Sequence, residues 1–269
     1  MKPDVTAFFD HETFTVTYVV KDPASQACAI IDPVLDFDQA AGRTSTGSAD
    51  EVLGFVNKHG LKVAWILETH AHADHLSAAA YLKSKTGAKT ATGELIGHVQ
   101  ATFSEIFNFD DSFATNGEQF DRIFADGETI PFGDMGISVM HTPGHTPSCV
   151  TFVCGDAAFV GDTLFMPDYG TARADFPGGD AAVLYESIQR IFELPVQTRL
   201  FMCHDYKAPG RDDYRWETTV AEQRAKNIHV NDGISKDEFV AFREGRDAEL
   251  SMPKLIIPAL QVNICAGEM

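Results

Sequence analysis

The stretch that decides the fold is "ILETHAHADHLSAAAYL", Ile66 to Leu82, in which His70, His72, Asp74 and His75 fall within six residues. An apolar, β-branched run, "LKVAWIL" (61–67), precedes it and reads as a short buried strand. Residues 74–85 read as a helix stopped by Gly87. Three imidazoles and a carboxylate where a strand gives way to a helix have two readings. One is a polar turn that happens to be rich in histidine. The other is a metal site, because histidine nitrogen and carboxylate oxygen both ligate first-row divalent metals.

Working outward, the N-terminal part reads as strands. "TFTVTYVV" (13–20) alternates and is β-branched, and "ACAIIDP" (27–33) ends on a turn signal. Ser48 and Glu51 have capping-box spacing, followed by apolar Val52, Leu53, Phe55 and Val56 and a stop at Gly60, so a helix is expected there. The middle of the chain alternates short β-prone runs with Gly, Asp and Pro turns. "DAAVLYESIQRIFEL" (180–194) has helical periodicity, "TRLFMCHDY" (198–206) is a strand running into a polar end, and helices are expected over 216–228 and 235–250. Strands and helices interleave in both halves, which predicts an α+β architecture of two β-rich layers flanked by helices. The expected organisation is one domain over 1–269, with 216–269 as a C-terminal helical extension.

Composition narrows the partners. The 269 residues carry 39 acidic and 21 basic side chains, a net charge of −18, and the pI is about 4.8. Gripping nucleic-acid phosphates needs a basic surface, so no nucleic-acid partner is expected. The acidic surface reads as a solvating, self-repelling one. No run approaches the roughly 20 apolar residues of a membrane span, and "MKPDVTAFFDHETF" lacks a signal-peptide core. Five cysteines without C-x-x-C spacing suggest reduced thiols. Cytoplasmic location without a membrane partner is the expectation.

Other polar residues repeat the strand-end placement. His145 lies in "HTPGHTPSC", Asp162 ends "AAFVGD", and His204 ends "RLFMCH". Each follows an apolar β-like run, so all seven side chains can meet in one crevice at one edge of the sheets. Any one of these histidines alone is more often structural. The ordered set argues for a metal.

Taken together, T-H-A-H-A-D-H, Gly144-His145, Gly161-Asp162 and Cys203-His204, in that order, resemble the metallo-β-lactamase superfamily over essentially the whole chain. The resemblance implies an αβ/βα sandwich of two mixed sheets with helices outside and metal at one edge. Lactamases that bind two zincs usually have cysteine where Asp162 stands, flavodiiron proteins have Glu in place of His72, and superfamily nucleases generally carry added nucleic-acid-binding modules. Two glutathione-handling branches fit better: glyoxalase II, a two-metal thioester hydrolase, and the persulfide dioxygenases. "GHTPSC", "GDTLF", "TARADF" and "CHDY" are closer to the dioxygenase pattern G-H-T-P-G-C, G-D, G-R-T-D-F, H-D-Y. Ser148 replaces a Gly of that pattern, "MPDYGTA" is inserted before Arg173, and the region after Trp216 is longer, as in a bacterial subgroup linked to sulfide detoxification.

The dioxygenase resemblance implies one Fe(II) per chain held by His70, His145 and Asp162, and oxidation of glutathione persulfide by O2 to sulfite and glutathione. His72, Asp74, His75 and His204 would then support or orient, with His72 a candidate fourth ligand; a two-metal hydrolase would use them all, with zinc. Arg173 is the candidate clamp for a glutathione carboxylate, the alternative being a pair with Asp175. Tyr206 is a candidate for contact with substrate and metal-bound oxygen, and Thr146 for a hydrogen bond near the metal. Arg211, Arg215 and Lys207 are further pocket candidates. Cys149 and Cys203 read as packing residues. A homo-oligomer is expected from family habit. A non-catalytic metal- or partner-binding member is the third reading.

Overall fold

A computed structural model describes residues 2–269. The opening strands form an antiparallel ladder: β1 (Asp4–Phe9) pairs with β2 (Val16–Lys21), and β2 with β3 (Ala27–Ile31). Next come β4 (Val34–Asp38), β5 (Arg43–Ser45) and helix α1 (Gly47–Lys58). β6 (Lys62–Leu67) lies parallel to β3, the arrangement that a helical crossover permits. After β7 (Leu76–Ser77) and α2 (Ala79–Thr86), β8 (Lys89–Gly93) adds parallel to β6. α3 (Ile96–Ile106) then leads to β9 (Arg122–Phe124), and the first sheet runs β1-β2-β3-β6-β8-β9.

The second half builds an antiparallel meander from β10 (Thr129–Phe132), β11 (Met135–His141), β12 (Val150–Cys154) and β13 (Ala157–Phe159). Helix α4 (Ala181–Phe192) crosses over to β14 (Arg199–Phe201), parallel to β13, and β15 (Glu217–Thr219) closes the second sheet. α5 (Val220–Lys226), α6 (Lys236–Asp247) and α7 (Ile256–Asn263) follow.

Both faces of the inner strands are buried, which is why β2 reads as a nearly continuous apolar run. Val16, Tyr18 and Val20 face Ile137, Phe152 and Phe159 of the other sheet, whereas Val19 faces a layer containing Val52, Leu82 and Ala259 of α1, α2 and α7. On the far side, Ala158, Val160 and Leu200 pack against Leu184, Ile188 and Phe239 of α4 and α6. The result is the expected mixed sandwich, helix–sheet–sheet–helix. No helix among the described residues is long and apolar enough to cross a membrane.

Several local expectations are corrected. The helix expected from Asp74 begins at Ala79, because Leu76 and Ser77 pair with Leu35 and Val34 instead. Its stop is as read: Gly87 caps it in the left-handed region. Helix α1 starts a turn before Glu51, and the Ser48 hydroxyl donates to Asp36 rather than closing a capping box. A true capping box joins Ser235 and Glu238 at α6. Residues 217–219 are a strand rather than the start of a helix, so the segment 216–269 supplies an edge strand as well as helices.

Candidate metal centre

The His/Asp stretch lies where β6 ends, at the carboxyl edge of parallel strands, where open α/β sheets place their ligand sites. Its entry is pinned by Asp32, which follows β3 with a positive φ of 50°. The Asp32 carboxylate accepts from Thr69 N–H (2.7 Å) and from the Thr69 hydroxyl (2.9 Å). His145 is carried on the turn after β11, and Asp162 on a 3-10 turn after β13 (161–163). Their preceding glycines are required by space. A Cβ on Gly144 (φ +131°) would meet the Leu184 backbone at 2.3 Å, and one on Gly161 (φ +53°) would meet Thr69 Oγ1 at 2.7 Å. His204 follows β14 and makes an isolated bridge to Thr15.

All seven predicted donors converge. His70, His145 and Asp162 form one group, with Asp162 Oδ2 3.7 Å from His145 Nε2 and 4.0 Å from His70 Nε2. His72, Asp74, His75 and His204 form a neighbouring group. The two are joined at Asp162, whose Oδ1 lies 3.4 Å from His204 Nε2, itself 3.2 Å from Asp74 Oδ2.

The rear of each ring is held, as metal-binding histidines require. His145 Nδ1 donates to the Arg173 carbonyl at 2.8 Å. Thr69 Oγ1 is 3.0 Å from His70 Nδ1, and Thr15 Oγ1 is 3.3 Å from Nδ1 of both His75 and His204. His72 is turned the other way, with Nε2 3.1 Å from Asp32 and 3.3 Å from Glu68. Among the described residues, buried Glu68 Oε2 lacks a hydrogen-bond partner, as do six atoms of the donor set: His70 Nε2, His72 Nδ1, Asp74 Oδ2, His75 Nε2, Asp162 Oδ1 and His204 Nε2. Six such atoms would be costly unless something bound satisfies them. As lone-pair donors gathered in two adjoining groups that meet at Asp162, they fit bound metal.

Electrostatics favour the ligating forms of His70, His75 and Asp74. Burial, reinforced by His72 and His145, pushes the His70 pKa well down. Burial and His72 lower His75 as well, against the opposing pull of Asp74. Burial opposes ionisation of Asp74, but His204 and His75 outweigh it and keep the carboxylate charged. For His72, burial lowers the pKa while Asp32 and Glu68 raise it further, so the net shift is upward.

A cavity of about 1190 Å³ opens over the donors, with Asp74, His75, His145 and Asp162 on its floor. Tyr206 forms part of its wall, stacked on His204 with ring centroids 5.5 Å apart. Burial first, then Asp74 and Asp162, raise the Tyr206 pKa and keep its hydroxyl protonated. Arg173 lines the same cavity, but its fork already holds a carboxylate: Nε and Nη2 donate to Asp175 at 2.5 and 2.6 Å, and Nη1 donates to the Ser251 carbonyl. Thr146 is buried inside its own turn, its hydroxyl 3.1 Å from Cys149 Sγ. Arg211 pairs with Asp205 and Asp168, and Arg215 with Asp213. Lys207 lies over the Tyr214 ring.

Sequence reasoning missed Asp32, Glu68 and Thr15 behind the ligands, and the exposed cations Arg246 and Lys254 on the cavity wall. Asp32 carried the strand-end signal that found the other acids.

Fold and donors together define the class as a sandwich with a candidate metal site at one edge. The chain belongs to the metallo-beta-lactamase superfamily, whose family model matches residues 12–204. It is 50% identical to a probable metallo-hydrolase of Burkholderia pseudomallei (strain 1710b), over 98% of this chain and 93% of that protein. Against the mitochondrial persulfide dioxygenase ETHE1 of Bos taurus the identity is 32%, over 91% of this chain and 81% of that protein. Among solved structures, ETHE1 from Myxococcus xanthus superposes with a TM-score of 0.78 at 30% identity, over 98% of this chain and all of that one. The two ETHE1 likenesses support the persulfide dioxygenase branch.

Proposed function

We propose that the chain is an iron-dependent persulfide dioxygenase acting on glutathione persulfide. The observation that carries this is the group His70, His145 and Asp162: two imidazoles and one carboxylate, with His145 and Asp162 on the cavity floor and His70 buried beside them, the donor set of non-haem Fe(II) oxygenases. Bound there, ferrous iron would supply the redox chemistry with O2 that zinc lacks. One persulfide, one O2 and one water give one thiol, one sulfite and two protons, so the persulfide itself provides the electrons.

The chain's own residues account for the rest. The Arg173 carbonyl fixes the His145 ring with Nε2 toward the donor group. Neutral Tyr206 offers a hydroxyl donor at the cavity wall beside His204. Arg246 and Lys254 offer cations to the carboxylates of a peptide thiol, a role that Arg173, occupied by Asp175, fills less readily.

A second reading, hydrolysis of a glutathione thioester, is favoured by the adjoining group of His72, Asp74, His75 and His204, which holds the further donors a two-metal site would use. The probable metallo-hydrolase likeness agrees with it. An oxygen electrode separates the two. The expected result is rapid O2 uptake when glutathione persulfide is added to Fe(II)-loaded protein, lost in His145→Ala. No uptake with full iron loading, together with thioester cleavage by zinc-loaded protein, would replace the first reading by the second.

A further inference from the structure

The arc from His70 to His75 supplies four of the seven metal donors, yet among the described residues its backbone makes no backbone–backbone hydrogen bond. Its shape must come from side chains. Asp32 holds the entry through Thr69. The exit is held by one residue of α7, Asn263, which is buried. Its Nδ2 donates to the carbonyls of His72 and His75, both at 2.8 Å, and its Oδ1 accepts from Ser77 N–H at 2.8 Å. Two acceptors on one side and a donor on the other fix the orientation of the amide.

The contacts form a ring. Ser77 Oγ donates to Glu68, Glu68 stands 3.3 Å from His72 Nε2, and the His72 carbonyl returns to Asn263. Around the amide, Leu260, Ile264 and Ala266 share an apolar cluster with Ala71 and Ala73 of the arc. Gly267 approaches so closely that a Cβ there would stand 3.1 Å from the Ser77 carbonyl oxygen. The α7 side of this ring, Leu260 to Gly267, lies beyond residues 12–204, the span matched by the family model.

We propose that Asn263 is a positioning residue for the metal centre: α7 acts as a strut, and its amide sets the arc so that His72, Asp74 and His75 present their free atoms together. The inference rests on the site binding a metal and is independent of the choice between oxygenase and hydrolase. Partners that orient ligands from behind typically carry tenfold to hundredfold in metal affinity.

The test uses the whole chain and Co(II) as the probe, with affinity read by chelator competition and ligand geometry by the d–d absorption bands. Asn263→Asp keeps an acceptor for Ser77 but cannot donate to the two carbonyls. It is expected to weaken Co(II) binding about tenfold to hundredfold and to alter the bands. Asn263→Ala, which removes all three bonds, should weaken binding at least as much. Val262→Ala controls for loosening of α7: Val262 packs on the helical side of the first sheet, so this variant should lower the melting temperature and leave Co(II) affinity unchanged. Parental affinity and bands in both Asn263 variants would overturn the proposal. So would a loss in Val262→Ala that tracks melting temperature in step with Asn263→Ala. Parent protein that takes up no cobalt would overturn the metal reading itself, and the strut with it.

Discussion

The Cys203 thiol lies beside Asp162 and His204, and that of Cys149 in the turn that carries His145, yet both are held inert. Burial, with the charges of Asp162 and Asp32, pushes Cys149 up to about 12 and Cys203 well above its ordinary value. Burial alone pushes Cys28 to about 12, and it takes Cys154, with nearby Asp22, to about 11. At pH 8 a thiol of pKa 12 is thiolate in only about one molecule in ten thousand, so nucleophilic reaction is negligible. Native protein treated with iodoacetamide should therefore label at half-buried Cys265, the other four reacting only in denaturant; labelling of Cys203 in native protein would contradict this placement. The same scale shows where the sequence was legible. The seven donors could be found because each follows an apolar run, a signal contained within a few residues. Thr15, Glu68 and Asn263 could not, because their meaning lies in partners that the fold brings together: Thr15 reaches His204 across 189 positions. Arg173, read as a candidate clamp for a glutathione carboxylate with a pair to Asp175 as the alternative, lines the cavity with its fork on Asp175.

Elements show the same division between local signal and tertiary demand. Helix α4 was readable because its apolar period and its cap agree: Asp180 accepts from Val183 N–H. β7 was not, because "LS" has no strand character of its own and becomes a strand only against β4. The connection between β14 and β15, which carries Tyr206, is likewise shaped from outside. Arg211 donates to Asp205 at 2.6 and 2.7 Å and to Asp168 at 2.7 and 3.2 Å, tying this connection to the one that carries Tyr169. The Asp205 side chain is fully buried. Removing the arginine strands that charge, so Arg211→Met should cost about 3–5 kcal/mol in urea unfolding. Asp168 is far more exposed, and Asp168→Asn should cost less than about 1 kcal/mol. Equal losses would mean that the pair acts only as a surface bridge.

For the molecule as a whole, the metal donors are drawn from both halves: His70 to His75 follow the first sheet, while His145, Asp162 and His204 follow strands of the second. A bound ion therefore fastens one layer of the sandwich to the other. Metal at a hundred times its dissociation constant adds about 2.7 kcal/mol to stability, so its removal by chelator should lower the melting temperature by roughly 5–10 °C. An unchanged melting curve after verified metal removal would contradict this cross-link. The strut gives this assembly a direction in time. A ribosome makes Asn263 188 residues after His75, so the histidine arc leaves the tunnel long before the amide that fastens it exists. Until then the nascent chain carries imidazoles and a carboxylate, ligands suited to borderline divalent metals, without the fixed geometry of the folded arc. On the strut proposal, the fixed geometry of the arc thus belongs to the interval after α7 has been synthesised.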